Sequence, residues 1–496
     1  MTYKNYIGGK WVDAISGKTF TDINPANKND EIGIFPYSGK EDVNKAVEAA
    51  KRAFPSWSRM PVPKRGELLG RAGDLLVKYK EELARLATRE MGKILLETEG
   101  DVQEAIDTAY YAFGEGRRFF GETSPSELPD KICLTFRKPV GVAGLITPWN
   151  FPTAIPAWKI FPALLSGNTI VFKPSRESPA TATRLVEILL EAGIPEGVIN
   201  LVHGPGGVVG EAIATHPDIG VVSFTGSTEV GKRIAKLASD TLKKVSLELG
   251  GKNGQIVMDD ADMELALEGA LWGAFGTTGQ RCTATSRLIL HEKIHDEFVE
   301  RLKDRASKIK IGDGLDPSTE MGPLVSEAQR DKVHKYVQIG KEEGATLVLG
   351  GEFHEEGNCK DGWFYKPTIF TNVKPNMRIA QEEIFGPVLA VFKVKDLDEA
   401  IRVINSTSYG LSSSIYTTNV NTSLRAVREI EAGITYVNGP TIGAECHLPF
   451  GGVKNTGNGH REGGWTAYEI FTETQTVYID YSGRLQRAQI DTSVTK

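Results

Sequence analysis

Gly141-Val142-Ala143-Gly144-Leu145-Ile146-Thr147-Pro148-Trp149-Asn150-Phe151-Pro152 begins with six residues that carry no polar side chain and ends in a turn set between two prolines. A strand that is apolar throughout is buried on both faces, which is the condition of a parallel sheet flanked by helices. The same rhythm continues outward. Candidate strands at 169–173, 198–202, 220–224, 244–249 and 255–258 follow, mostly separated by helical runs at 179–192, 208–215 and 229–241. Such sheets bind ligands beyond the carboxyl ends of their strands. The polar turns 147–150, 173–177, 203–207 and 225–228 all lie at those ends.

The alternation resumes beyond residue 260. Helical runs at 293–308, 325–343, 396–405 and 420–432 separate strands near 286–291, 345–349, 387–394, 411–416 and 433–437. The fold class is therefore α/β, with two doubly wound domains. Short strands and turns fill residues 1–38. Three amphipathic helices follow, with stripes at Val43, Ala46, Val47 and Ala50, then Leu68 to Tyr79, then Ala105 to Phe113 on a helix of 104–118. An alternating segment, Ile132 to Phe136, reads either as an arm that pairs with another subunit or as an ordinary edge strand. The last alternating strand, Thr476 to Tyr481, is its candidate partner. The expected organisation is one unit from 1–120 with 140–250, a second from 251–450, a small β arm from 121–139 with 466–482, and a poorly ordered tail at 483–496.

A chain of 496 residues is too long for a single core. Its net charge of −6 argues against general nucleic-acid or anionic-membrane binding. No apolar run is long enough to span a bilayer, and the N-terminus lacks the apolar core of a signal peptide. Cys133, Cys282, Cys359 and Cys446 are widely spaced and form no zinc ligand pattern with the eight histidines, so no metal is expected. A reducing cytoplasm is the expected compartment.

Cys282 lies in Phe275-Gly276-Thr277-Thr278-Gly279-Gln280-Arg281-Cys282, a polar turn between a helical run at 262–275 and the apolar strand at 288–290. Arg281 would set a cation beside the sulfur and favour the thiolate. The reading is a nucleophile facing a cleft, or a buried inert thiol. Glu248 ends an apolar strand just before Gly250-Gly251. It is either a solvated charge or a general base held in a semi-apolar cleft. Asn150 can donate to an oxyanion or cap the strand end as an Asx-turn. Two glycine patterns fail as phosphate fingerprints. Gly204-x-Gly206 meets Val209 where a third glycine is needed, and Gly226 to Lys232 is followed by Arg233 where a P-loop needs Ser or Thr. Both still read as strand-to-helix turns able to face a phosphate, with Ser227 or Thr228 as the cap. Glu383, before an apolar strand, is a loop charge or a ribose ligand.

Taken together, TPWNFP at 147–152, Lys173-Pro174, FTGSTEVGK at 224–232, LELGGK at 247–252, GQRC at 279–282 and EEIFGPV at 382–388 resemble the aldehyde dehydrogenase superfamily of the non-phosphorylating, NAD(P)-dependent kind. The resemblance runs from about residue 5 to 480. It implies a Rossmann-like cofactor domain without the usual glycine fingerprint, a catalytic domain, and a β arm that joins subunits into dimers or tetramers. Its chemistry would make Cys282 the nucleophile, Asn150 an oxyanion donor and Glu248 the base that hydrolyses a thioester. Lys159 and Glu462 match proton-relay positions. Cofactor contacts are implied at Trp149, Lys173, Ser175, Arg176, Gly206, Gly210, Thr225, Gly226, Ser227, Gly250, Glu383 and Phe385. In NAD-preferring relatives an acid stands three residues after the ribose-binding lysine. Here Arg176 does, which favours NADP slightly, although a one-residue shift would bring Glu177 there. A channel formed by Arg117, Phe151, Trp158 and Arg281 would suit a small acidic aldehyde such as 2-oxoglutarate semialdehyde. If the arginines instead make surface ion pairs, plain aliphatic aldehydes fit. A coenzyme A-acylating enzyme or a non-enzymatic structural protein are further alternatives, and Glu248 argues against the former.

Overall fold

The computed structural model describes residues 1–492. Its first sheet has seven strands, in the order Lys244–Glu248, Ile219–Thr225, Val142–Ile146, Thr169–Lys173, Ile199–Leu201, Asn5–Ile7 and Lys10–Val12. The first five pair in parallel, and the two N-terminal strands close one edge antiparallel. Val142–Ile146 is central and buried at every residue, as its unbroken apolar run requires. From it the chain winds outward first to Thr169–Lys173 and later, on the other side, to Ile219–Thr225. The strand order reverses between Val142–Ile146 and Ile219–Thr225, and a crevice opens past their carboxyl ends. The turns carrying Trp149, Asn150, Gly226 and Ser227 leave from those ends.

The second sheet also has seven strands, in the order Thr346–Leu349, Thr368–Thr371, Val388–Val394, Thr285–His291, Asn253–Val257, Ser412–Tyr416 and Ile434–Val437. Asn253–Val257, which the sequence rhythm attaches to the first sheet, is an inner strand of the second. Gly250-Gly251-Lys252 is the passage between sheets, so Glu248 and the cysteine turn meet at the seam. Asn253 pins that turn: its Nδ2 donates to Cys282 O at 2.7 Å and to Ala284 O at 2.9 Å, while its Oδ1 accepts from Ser412 N at 3.0 Å.

Three elements escape the periodicity. Helix Ala154–Ser166 is buried on all sides and shows no stripe. Lys80–Met91 follows Val62–Lys78 across the single residue Tyr79, beyond the point where the Leu68 to Tyr79 stripe ends. Thr368–Thr371 is only four residues long. The helix expected at 104–118 is Leu95–Glu115 and starts with an acidic face. The arm is a three-stranded antiparallel sheet in which Lys131–Pro139 pairs with Thr472–Asp480 on one side and with Thr123–Pro125 on the other. Of the tail expected at 483–496, residues 493–496 lie outside the described residues. In the remainder Gln486 Nε2 donates to Pro129 O at 2.7 Å, in the turn that joins Thr123–Pro125 to Lys131–Pro139. No helix among the described residues is long and apolar enough to cross a membrane.

Candidate active site

Two cavities meet at Cys282. One, of about 320 Å³, is lined by Phe151, Trp158, Thr225, Glu248, Arg281, Phe450 and Glu462 as well as the cysteine, within the range of small-molecule sites. The other, of about 170 Å³, is lined by Trp149, Asn150, Thr225, Gly226, Ser227, Gly250, Glu383 and Phe385. Cys282 belongs to both, so a group held in either reaches the sulfur.

The turn before Cys282 is strained. Thr277 and Thr278 have φ of 52° and 57°, a left-handed region that β-branched residues rarely enter. Buried Glu97 holds the turn: its Oε1 accepts from Thr277 N at 2.6 Å and from Thr277 Oγ1 at 3.2 Å. Thr278 Oγ1 donates to Gly322 O at 2.9 Å. Gly279 has φ of 68° and lies against Gly386 O, where a Cβ would come within 2.2 Å of that oxygen. Only glycine fits there.

Arg281 does not set its charge beside the sulfur, as the sequence suggested. Its Nε donates to Thr277 Oγ1 at 2.8 Å, its Nη2 pairs with Glu97 at 3.2 Å, and its plane stacks between Phe151 and Trp272. Burial pushes the Cys282 thiol well above its usual pKa, and the charges of Glu248, Glu383 and Glu462 raise it further. Glu248 is buried, among the described residues its Oε1 has no hydrogen-bond partner, and burial followed by the charge of Glu462 raises its pKa well above the usual carboxylate range. Lys159 Nζ pairs with Glu462, and donates to Ser223 Oγ at 2.8 Å; Thr225 Oγ1 also bonds Glu462, at 3.1 Å. Among the described residues Asn150 Nδ2 gives one hydrogen to Gln280 O at 3.1 Å and leaves the other unused, and Asn150 lines the second cavity together with Cys282.

On the second cavity's wall, Gly251 N donates to Glu383 Oε1 at 2.9 Å. A Cβ at Gly250 would come within 2.4 Å of the same carboxylate. Phe385 meets Trp149 edge to face at 5.4 Å. Lys173 is buried at its strand end, and burial pushes its pKa down to about 8. Ser175 Oγ bonds the Glu177 carboxylate, and Arg176 is exposed. Gly206 and Gly210 bound a single π-helical turn, and Val209 inside it is fully buried in the core. That packing is why a valine replaces the fingerprint glycine. Ser227 caps helix Thr228–Ala238, and Arg233 bonds Glu211 at 2.7 Å instead of facing a phosphate.

Arg117 is not in the channel. Its side chain is 72% exposed and reaches Glu67 at 3.9 Å, whereas that of Arg281 is only 12% exposed. Helix Leu95–Glu115 ends two residues before Arg117, so the arginine leaves on the surface. Sequence reasoning missed the channel acids Glu97, Asp101 and Glu104, the buried Lys93, and Gln329 and Lys332 beside Glu383. The four-residue and three-residue spacing of the three acids, on one helix face, was the available signal.

The model of the aldehyde dehydrogenase family matches residues 11–477. The alpha-ketoglutaric semialdehyde dehydrogenase of Bacillus subtilis is 45% identical over 96% of this chain and 98% of its own. The 2,5-dioxopentanoate dehydrogenase of Saccharolobus solfataricus is 44% identical over 96% and 99%. Among solved structures, betaine aldehyde dehydrogenase from Staphylococcus aureus in complex with NAD+ superimposes with a TM-score of 0.95 at 38% identity, over 97% of this chain and 95% of that one. With the fold, the seam and the matched length in agreement, the chain belongs to the aldehyde dehydrogenase family.

Proposed function

We propose that this enzyme oxidises a small semialdehyde bearing a distal carboxylate, through a covalent intermediate on Cys282. Oxidation of an aldehyde to the acid with a nicotinamide cofactor is the activity of the family. The observation that carries the finer reading is a single cavity joining the Cys282 thiol, the unpaired Glu248 carboxyl and the Arg281 guanidinium. Among the described residues Arg281 Nη1 makes no hydrogen bond, which leaves it free for a carboxylate. The names of the relatives above point the same way.

The sulfur attacks the carbonyl once its proton has left, and the tetrahedral oxyanion is held by Asn150 Nδ2 and the Cys282 N–H. The cradle of Trp149, Lys173, Gly226, Gly250 and Glu383 fits a nicotinamide dinucleotide, since Glu383 is fixed for a ribose hydroxyl and Gly250 clears the approach. When bound, that group accepts the hydride and leaves a thioester on Cys282. Glu248 then takes a proton from the hydrolytic water, and Glu462 with Lys159 carries it away. Thr225 and Ser223 hold that pair. NADP serves at least as well as NAD, because among the described residues Arg176 has no hydrogen-bond or ion-pair partner while Glu177 is engaged by Ser175. The three-stranded arm, with Ile132, Phe136, Tyr478 and Ile479 exposed, joins copies of the chain. A reducing compartment suits the four free cysteines.

The test compares succinic or 2-oxoglutarate semialdehyde with butanal and pentanal on wild type and Arg281→Ala. One buried carboxylate–arginine contact is worth roughly 1.5–3 kcal/mol, so the acid advantage in kcat/KM falls about ten- to a hundredfold in the variant. Equal use of both classes by the wild type excludes the acidic substrate.

A further inference from the structure

We propose that Glu104 selects the substrate by donating a hydrogen bond, as a carboxylic acid, to the carboxylate at the far end of the aldehyde. The inference rests on the acidic substrate proposed above. Helix Leu95–Glu115 presents Glu97, Asp101 and Glu104 to the cavity along one face. Two of the three acids are already matched. Glu97 takes Arg281 and Thr277. Asp101 pairs with Lys93 at 3.2 Å and accepts from Ala154 N at 2.7 Å. Among the described residues Glu104 has no cation partner, and its Oε1 is enclosed without a hydrogen bond. An enclosed, unpartnered carboxyl group is cheaper to bury uncharged.

The surroundings keep it so. Burial first, then the charge of Asp101, raises Glu104 to about 8, with Lys93 and Arg281 pulling the other way and Asp107 adding to the rise. Tyr436, from strand Ile434–Val437, and Cys446, from the loop that follows it, also face this carboxyl. Burial is the first cause that raises them, to about 12 and about 11, so both are neutral at pH 7. The cavity thus offers a carboxylate the Arg281 Nη1–H and one carboxyl O–H. An alkyl end leaves both donors unpaired. Once Glu104 ionises, it repels the same substrate.

The experiment measures the ratio of kcat/KM for succinic semialdehyde over butanal from pH 6 to 10, on wild type, Glu104→Gln and Glu104→Leu. The ratio cancels the titration of Cys282 and Glu248, which serve both substrates. Wild type is expected to hold its acid advantage to near pH 8 and then lose about tenfold per pH unit, through KM. Glu104→Gln keeps a donor and should hold the advantage flat to pH 10. Glu104→Leu should lower it about tenfold at pH 7. An acid advantage in wild type that does not change with pH overturns the role of Glu104 and leaves the acidic substrate standing. The same alkaline fall in Glu104→Gln assigns the titration to another group and also overturns it. No acid advantage in wild type at pH 7 overturns both readings together.

Discussion

The two cavities that share Cys282 are built differently. The cofactor side is made of turns that leave strand ends, each a short contiguous motif. It is packed so closely that Gly250 has no room for a methyl group. The aldehyde side is assembled from helix Leu95–Glu115, the turn before the nucleophile, and the loop of residues 443–450. There Gly100 faces space in which a Cβ would meet nothing within 4 Å. The side proposed for the cofactor is close-packed at Gly250, while the side proposed for the aldehyde keeps slack at Gly100.

The sharpest break in this comparison lies at the shared wall. Cys282→Ala should abolish turnover. Glu248→Ala should release about one equivalent of reduced cofactor in a pre-steady-state burst and then stall, with steady turnover reduced on the order of a thousandfold or more. Full steady turnover in that variant removes Glu248 from the base role. Next, Gly250→Ala should raise the KM for the cofactor at least about tenfold by displacing Glu383, with little change in KM for the aldehyde. Gly100→Ala should do the reverse, leaving the cofactor KM unchanged and moving aldehyde KM a few-fold. Equal effects of both variants on both constants would erase the distinction between the cavities.

The thiol itself gives a pH signature. Because the Cys282 pKa is raised, thiolate is scarce at neutral pH in the free enzyme. Its alkylation by iodoacetamide should climb about tenfold per pH unit past pH 9, beyond the point where an ordinary thiol levels off at about 8.5. A plateau near that value would show an activated resting thiolate. The smallest effect is expected at the cofactor rim. Arg176→Ala should lower the NADP-to-NAD ratio of kcat/KM several-fold, read in side-by-side assays. An unchanged ratio assigns the preference elsewhere.

Legibility in the sequence follows the same division. Strand ends were readable because an apolar run and its turn occupy one stretch, so Asn150, Ser227 and Glu248 could be picked out with their neighbours, and Cys282 stood out on the polar turn between a helical run and a strand. The channel was legible only in part: Phe151, Trp158 and Arg281 line the cavity as expected, while the acids of helix Leu95–Glu115 join them only after two sheets and a helix have packed. Arg117 and Arg281 look alike in sequence, yet one leaves on the surface past a helix end and the other is stacked between aromatic rings. Charge sign was legible and charge partner was not. That is why Arg281 read as an activator of the sulfur, when Glu97 had already claimed it. Helix Ala154–Ser166 was invisible for the opposite reason, since full burial erases the stripe that reveals a helix.

Glu97 ties two traits into one inheritance. The same carboxylate oxygen holds the Arg281 guanidinium and the left-handed threonine turn that aims the nucleophile. A lineage that replaced Arg281 to accept a new aldehyde would also release a strained turn and lose rate on every substrate. Diversification by that route crosses a fitness valley. Leu96 and Gly100 face the same cavity from the same helix, and neither bonds the turn. Descendants of this enzyme can explore new aldehydes at those two positions first, one mutation at a time, without disturbing the chemistry they inherited.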